Sequence, residues 1–408
     1  MNRTLRISLA LAALLAVLSG CGNSSTPSSE GDTKGTKEDK TSITLWTNFQ
    51  VEAELLQQYA DKWSQETGNE AKIVHNSIEV QQFVQAANSA GGPDGVFGIP
   101  NDQLASFATA NLTAEVPADL YQDSDYVDAA VQASYVNGKR YGVPIAVETI
   151  TLFYNTDKVA APPATWDELL ESARASGGIK FDATSIYYDL GFLRAFDSYI
   201  FQWSDNAYDV ADIGLGNDGA VQAYSYLKQM VDDGFLSADI TFDIARSAFE
   251  NGETAYYIGG PWDIDAFTSA GVNFAVAPMP TLNDKRFVTP VVTQVGFVSS
   301  KSKNQDTVWE FYQYLIDEAA VELYETGSRL PAKLAVQEQI DADPITDSFI
   351  TQIAAGEPLP SVAELGQLWT LYTDNMRLLF GGSISPEEAA QYIESQLRDA
   401  IELMHSGS

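Results

Sequence analysis

NGKRYGVPIAVETITLFYN, residues 137–155, decides how this chain is read. Asn137-Gly138 is the signature of a two-residue hairpin turn, because a type I′ turn needs positive φ at both central residues. Tyr135-Val136 before it and residues 139–143 after it read as the paired strands. Two apolar extended runs follow, residues 144–147 and 150–154, with Glu148 between them. A charged residue at a strand end is ordinarily solvated, so any further role for Glu148 has to come from the rest of the chain.

Outward from this stretch, strands and helices alternate. Residues 43–47 are a short β-rich run, and Val51, Leu55, Leu56, Tyr59, Ala60 and Trp63 then recur at helical spacing up to a capping Gly68. Strands are expected at 71–75 and 95–97, with helices around 83–87 and 104–110. Such alternation implies βαβ units and a mostly parallel sheet. Beyond the central stretch, Thr165 and Glu168 form a capping box. Helices are expected at 217–230, 243–249 and 309–324, and strands at 253–258, 274–277 and 291–299. The last third is helical, with Ser385 capping and Pro386 in the first turn of a final helix.

Composition narrows the function. The 408 residues are 45% hydrophobic and 11% aromatic, enough for a substantial core and two or more domains. Lys and Arg number 23 against 56 Asp and Glu, for a formal charge of −33. That charge leaves no basic footprint for nucleic acid, and it would be repelled by anionic lipid unless tethered. Cys21 is the single cysteine, and His75 and His405 are the only histidines. An intrachain disulfide framework is excluded, and a zinc site or a Ser-His-Asp triad has few residues to draw on. No phosphate-binding glycine loop, EF-hand loop or H-E-x-x-H helix occurs, so neither cofactor nor metal is expected.

Residues 1–20 carry Arg3 and Arg6 and then an apolar run, the pattern of an export signal rather than a membrane span. The run ends Leu18-Ser19-Gly20-Cys21, which resembles a bacterial lipobox. That resemblance implies cleavage before Cys21 and a diacyl lipid on it, two chains being enough for stable anchoring. Residues 21–42 are small, polar and charged, and read as a flexible tether.

Several stretches, in order, resemble the maltose/maltodextrin-binding proteins, the extracytoplasmic receptors of oligosaccharide ABC importers. They are ITLWTN (43–48), GGPDGVF (91–97), the central stretch, PPATWDELL (162–170), YDVADIGLGNDGA (208–220), SADITFDIARSAFENGETAYYIGGPW (237–262) and GQLW (366–369). The resemblance implies an α/β, periplasmic-binding-protein-like fold of two lobes joined by crossover strands, with the ligand in the cleft between them. It places 43–146 plus 291–316 in the first lobe and 147–290 plus 317–404 in the second, closing by a hinge motion. It implies a monomer anchored on the outer face of a bacterial cell membrane through Cys21. That monomer would bind maltose, maltodextrin or a related oligosaccharide and deliver it to permease subunits without catalysis.

A pyranose has an apolar C–H face and a hydroxyl rim, so its site needs aromatic faces and buried acceptors. By resemblance Trp262, after Gly-Gly-Pro, stacks on a ring, Trp369 is a second such aromatic, and Tyr187 or Tyr188 a third. Glu148 and Asp102 accept hydroxyl bonds. Asn48 stands in the first-strand loop where the family has a charged pair. The family's aromatic before its aspartate is Gly98 or Ile99 here, and its following arginine is Gln103. Gly98 is expected to widen the cleft floor and admit a bulkier or differently linked sugar. Two other functions compete: a glycoside hydrolase using Glu148 and Asp102, and a sugar-sensing receptor without transport.

Overall fold

Asn137 and Gly138 sit at φ 50° and 76°, closing a tight hairpin between β4 (Tyr135–Val136) and β5 (Lys139–Arg140). The computed structural model describes residues 40–406 apart from 77, 79, 90, 91 and 342. The expected signal segment, Cys21 and most of the tether therefore lie outside the described residues.

Two sheets organise the chain. β1 (Ser42–Thr47), β2 (Glu70–His75) and β3 (Gly95–Pro100) run parallel, as the alternation with helices Ala53–Thr67 and Val80–Ala87 requires. β6 (Val143–Thr149), β13 (Pro290–Val298), β14 (Leu330–Pro331) and β15 (Glu357–Pro358) complete this first sheet in the order β14-β6-β13-β3-β1-β2, with β15 beside β13. Both β14 and β15 come from the stretch assigned above to the second lobe. The second sheet has the order β12-β7-β11-β8, from β7 (Thr151–Asn155), β8 (Ile179–Lys180), β11 (Tyr256–Gly259) and β12 (Phe274–Ala277). β9 (Phe201–Ser204) and β10 (Ala207–Ile213) form a separate hairpin.

Strand direction brings the business edges together. β6 is antiparallel to β13, which is antiparallel to β3, so the carboxyl ends of β1, β3 and β6 share one edge. In the second sheet β7 is antiparallel to β11 and β12, so its amino end lies at their carboxyl ends. Only Ile150 separates β6 from β7. The carboxyl edges of the two sheets therefore meet across one buried residue, the place where α/β folds bind ligands.

The crossings are pinned together. Thr149 Oγ1 lies 2.7 Å from Thr289 Oγ1 and donates to the Pro290 carbonyl at 2.8 Å, tying the first crossing to the second. Gln352, buried in helix Pro344–Ile353, donates to the Phe287 carbonyl at 2.8 Å and to Thr289 Oγ1 at 3.0 Å. Its Oε1 accepts from Met279 N at 2.8 Å.

The helix expected over 309–324 is two helices, Gln305–Glu318 and Ala320–Gly327. Ile316, Ala319, Ala320 and Leu323 are buried across the break, so the apolar period continues through it and hides it. Gln352→Leu should lower unfolding stability by about 2–4 kcal/mol, because it strands buried groups on all three partners. Urea denaturation measures this; a loss below about 1 kcal/mol would mean the crossings do not depend on that side chain.

Candidate functional site

The first sheet's carboxyl edge supplies three of the expected residues. Glu148 ends β6, Asn48 and Phe49 follow β1, and Asp102 lies in the first turn of helix Asn101–Thr109 after β3. Asn101, fully buried, sets that turn. Its Nδ2 donates to the Leu359 carbonyl at 2.8 Å and to Ser361 Oγ at 3.0 Å, while its Oδ1 accepts from Thr293 N at 2.9 Å.

Glu148 is 9% exposed. Its Oε1 is 2.7 Å from Arg329 Nε, and Gln294 Nε2 donates to its Oε2 at 3.5 Å. Burial pushes the carboxyl's pKa up, opposed by the Arg329 charge and the Gln294 bond. Arg329 Nη1 also bonds Glu52, and the guanidinium sits 4.8 Å over the Phe49 ring. Gly327 leaves room for this, since a Cβ there would meet Glu52 Oε1 at 1.9 Å.

The floor beside Gly98 is filled, which corrects the widening expected from the sequence. Gly98 has φ 94°, and a Cβ there would meet Phe49 Cζ at 2.5 Å. Phe49 is 2% exposed and packs edge-on against Phe97. An aromatic is present at this place, but it comes from the loop after β1, and Arg329 covers its face. Asn48 Oδ1 is buried without a hydrogen-bond partner among the described residues.

The second lobe reaches the same place through Tyr187, on helix Ile186–Ala195. Burial drives its phenol pKa well above the ordinary range, and the nearby charges of Glu148 and Asp102 push it in the same direction. Tyr188 adds to the same effect, ahead of both carboxyls. Tyr188 is buried, meets the Tyr187 ring edge-on at 5.5 Å, packs against Phe181, and faces Asp263 and Asp182. Trp262 is 42% exposed, with its ring folded over Gly260, where a Cβ would lie 2.3 Å from Cη2. The turn carrying it is held by buried Asp263, which accepts from the Tyr257 hydroxyl at 2.9 Å and pairs with Arg246 at 3.2 Å. Pro261 and Ile264, on either side of that turn, line a cavity of about 130 Å³ together with Glu148. Trp369 is half-buried against the main core, in helix Leu368–Phe380. Among the described residues, the lining of the cavity at Glu148 does not extend to it.

Sequence reasoning passed over Arg329, Glu52 and Gln294. Their partners lie 146 or more positions away in sequence and are reached only through the fold, and the one local sign was a cation in the otherwise apolar run Arg329-Leu330-Pro331.

The sequence profile of a family described as bacterial extracellular solute-binding proteins matches residues 58–350. A galactooligosaccharide-binding protein of Bacillus subtilis is 27% identical over 414 residues, 97% of this chain and 97% of its own. A maltooligosaccharide ABC transporter solute-binding lipoprotein of Streptococcus pneumoniae is 26% identical over 379 residues, 88% of this chain and 87% of its own. The solved structure of a cyclo/maltodextrin-binding protein complexed with maltotetraose is similar at TM-score 0.85 and 25% identity, covering 90% of this chain and 99% of that one. The two-lobed periplasmic-binding-protein fold expected from the sequence is the fold these comparisons share.

Burial raises the pKa of Asp102, Glu148, Asp189, Asp263 and Glu357. A carboxyl with a folded pKa above its unfolded value binds more protons when folded. It therefore stabilises the acidic side, and that stability is lost as pH rises through the folded pKa. The thermal midpoint should climb as pH is lowered from about 7.5 to about 5. Calorimetry at fixed ionic strength checks this, and a midpoint that drops across the window contradicts it.

Proposed function

Because the chain belongs to the bacterial extracellular solute-binding proteins, we propose that it is the receptor of a carbohydrate ABC importer, binding a neutral oligosaccharide between its lobes and handing it to permease subunits. The observation that carries this reading is the cavity at the junction of the two sheets, which Glu148 of one lobe lines together with Pro261 and Ile264 of the Trp262 turn in the other. The exposed ring of Trp262 stands on a turn whose flanking residues share a cavity with Glu148. An aromatic face suits the apolar side of a pyranose, and buried acceptors suit its hydroxyls. Glu148 is committed on one oxygen to Arg329, which favours an ionised acceptor over the proton donor a hydrolase needs.

The sugar is malto- or galacto-oligosaccharide in class. Gly98, Gln103 and Asn48 depart from the maltodextrin-binding pattern, and a relative aligned over nearly the whole chain is named for galactooligosaccharide. Galacto-oligosaccharides therefore head the panel. In this reading Trp262 and Tyr187 give ring contacts, Asp102 and Glu148 accept hydroxyls, and Trp369 and Asn48 border the cleft. The lobes divide near Ile150, between β6 and β7, and near 289–290, ahead of β13, and the protein acts as a monomer. Cys21 carries the lipid that holds the body at the outer face of the cell membrane, in keeping with the lipobox and with the pneumococcal relative's description as a lipoprotein.

Thermal unfolding of the full chain against galacto-, malto-, cyclic malto-, xylo- and cello-oligosaccharides tests the function. A ligand at about a hundred times its Kd adds roughly 2.7 kcal/mol. A selective shift is expected, with Trp262→Ala weakening binding by about tenfold or more; no shift from any of these sugars refutes the oligosaccharide assignment. Cys21→Ser should move the protein from the membrane fraction to the soluble fraction of cells, and retention on the membrane would refute lipid anchoring at that residue.

A further inference from the structure

Glu148 has one closed side and one open side. On the closed side Arg329 lies between Glu148 and Glu52 and covers the Phe49 ring. A sugar ring finds no aromatic face there, because a guanidinium already occupies it. On the open side is a cavity of about 130 Å³ that opens to solvent. Ser328 and Leu330, which flank Arg329 in sequence, line it, so a single short segment closes one side of Glu148 and shapes the other.

The cavity's walls match one chemical class. Leu330 and Ile345 are apolar, and Pro261 and Ile264 join it to the turn bearing Trp262. Thr346 supplies a hydroxyl, 2.6 Å from that of Tyr324, and Asp343 caps the same helix by accepting from Thr346 N at 2.8 Å. Two carboxylates and no lysine or arginine line the space, so a uronate or a sugar phosphate would be repelled, while a neutral ring meets apolar faces and acceptors together.

We propose that this cavity is a further ring subsite, which takes a neutral terminal pyranose so that the ligand runs from Trp262 past Glu148 into the space between Ser328 and Ile345, away from Phe49. The proposal rests on the reading of the cleft as an oligosaccharide site. It makes the segment 328–346 a determinant of ligand length.

Calorimetric titration of the full chain with galactobiose, galactotriose and galactotetraose, and with maltose, maltotriose and maltotetraose, tests it. Ile345→Trp fills the cavity from its rim. In the series that binds, the variant should weaken the tetrasaccharide about tenfold while leaving the disaccharide within about twofold. Ile345→Phe, a milder filler, gives the same readout if the tryptophan variant does not fold. An unchanged ratio of disaccharide to tetrasaccharide affinity in a folded variant overturns the subsite and leaves the receptor reading standing. No binding of any of the six sugars by the unmutated chain overturns both.

Discussion

Arg329 bridges two buried carboxyl groups, Glu148 near the end of β6 and Glu52 ahead of helix Ala53–Thr67. Removing one partner from such a group typically costs about 3–5 kcal/mol, because the remaining charge stays desolvated. Much of the local sequence follows from keeping this group intact. Residue 327 is glycine because any side chain would strike Glu52. Ser328 takes a left-handed φ of 55°, unusual outside glycine, so that Arg329 leaves the helix end directed at its partners. Phe49 lies flat beneath the guanidinium, and Gly98 is bare so that Phe49 fits. Phe49 and Gly98 are thus fitted to one another and to a single cation.

The same group sits beside the hinge. β6 passes into β7 through Ile150 alone, and β14, which begins one residue after Arg329, pairs with Val147 and Ala146. Thr149, Thr289 and Gln352 hold the crossings in register through short buried hydrogen bonds. A hinge motion turns about such a bundle when a few backbone torsions absorb the rotation and the bonded crossings stay fixed. Glu148 lies one residue before Thr149, so a ligand on its carboxylate acts almost on the pivot, where lobe position is most directly felt.

Much of the scaffold was legible because it rests on local physics. The Asn137-Gly138 turn, the Thr165–Glu168 capping box, the Gly68 cap and the βαβ alternation are each written within a few residues, and the structure has all of them. The hairpin of β9 and β10 carries a comparable signal, with Asp205 and Asn206 at φ 51° and 59°, but its exposed strands lack the apolar alternation that draws attention. The site was legible only in part. Glu148 and the Trp262 turn are brought to one cavity by the fold, and no local pattern tells Tyr187 from Tyr188. Gly98 misled because an absent side chain reads as space, and the ring that occupies it comes from 49 residues earlier. No local pattern encodes a filling of that kind.

Ligand dependence of closure follows from what the lobes bring to the cleft. Tyr187 approaches two carboxylates that burial already disfavours as anions, and their charges in turn hold its proton on the phenol. Closing over these groups strips water from acceptor oxygens that the Arg329 and Gln294 bonds do not saturate, which is unfavourable. In the proposed reading, a sugar's hydroxyls would donate to those acceptors and its C–H face would cover Trp262. The ligand therefore favours the closed arrangement over the open one by interactions that exist only when both lobes are present, which is the differential affinity that population shift requires. An acidic ligand would add charge where it is least tolerated, and a purely apolar one would leave the carboxylates unpaired. Closure driven by binding thus selects for a neutral polyol before any contact specific to one sugar is made.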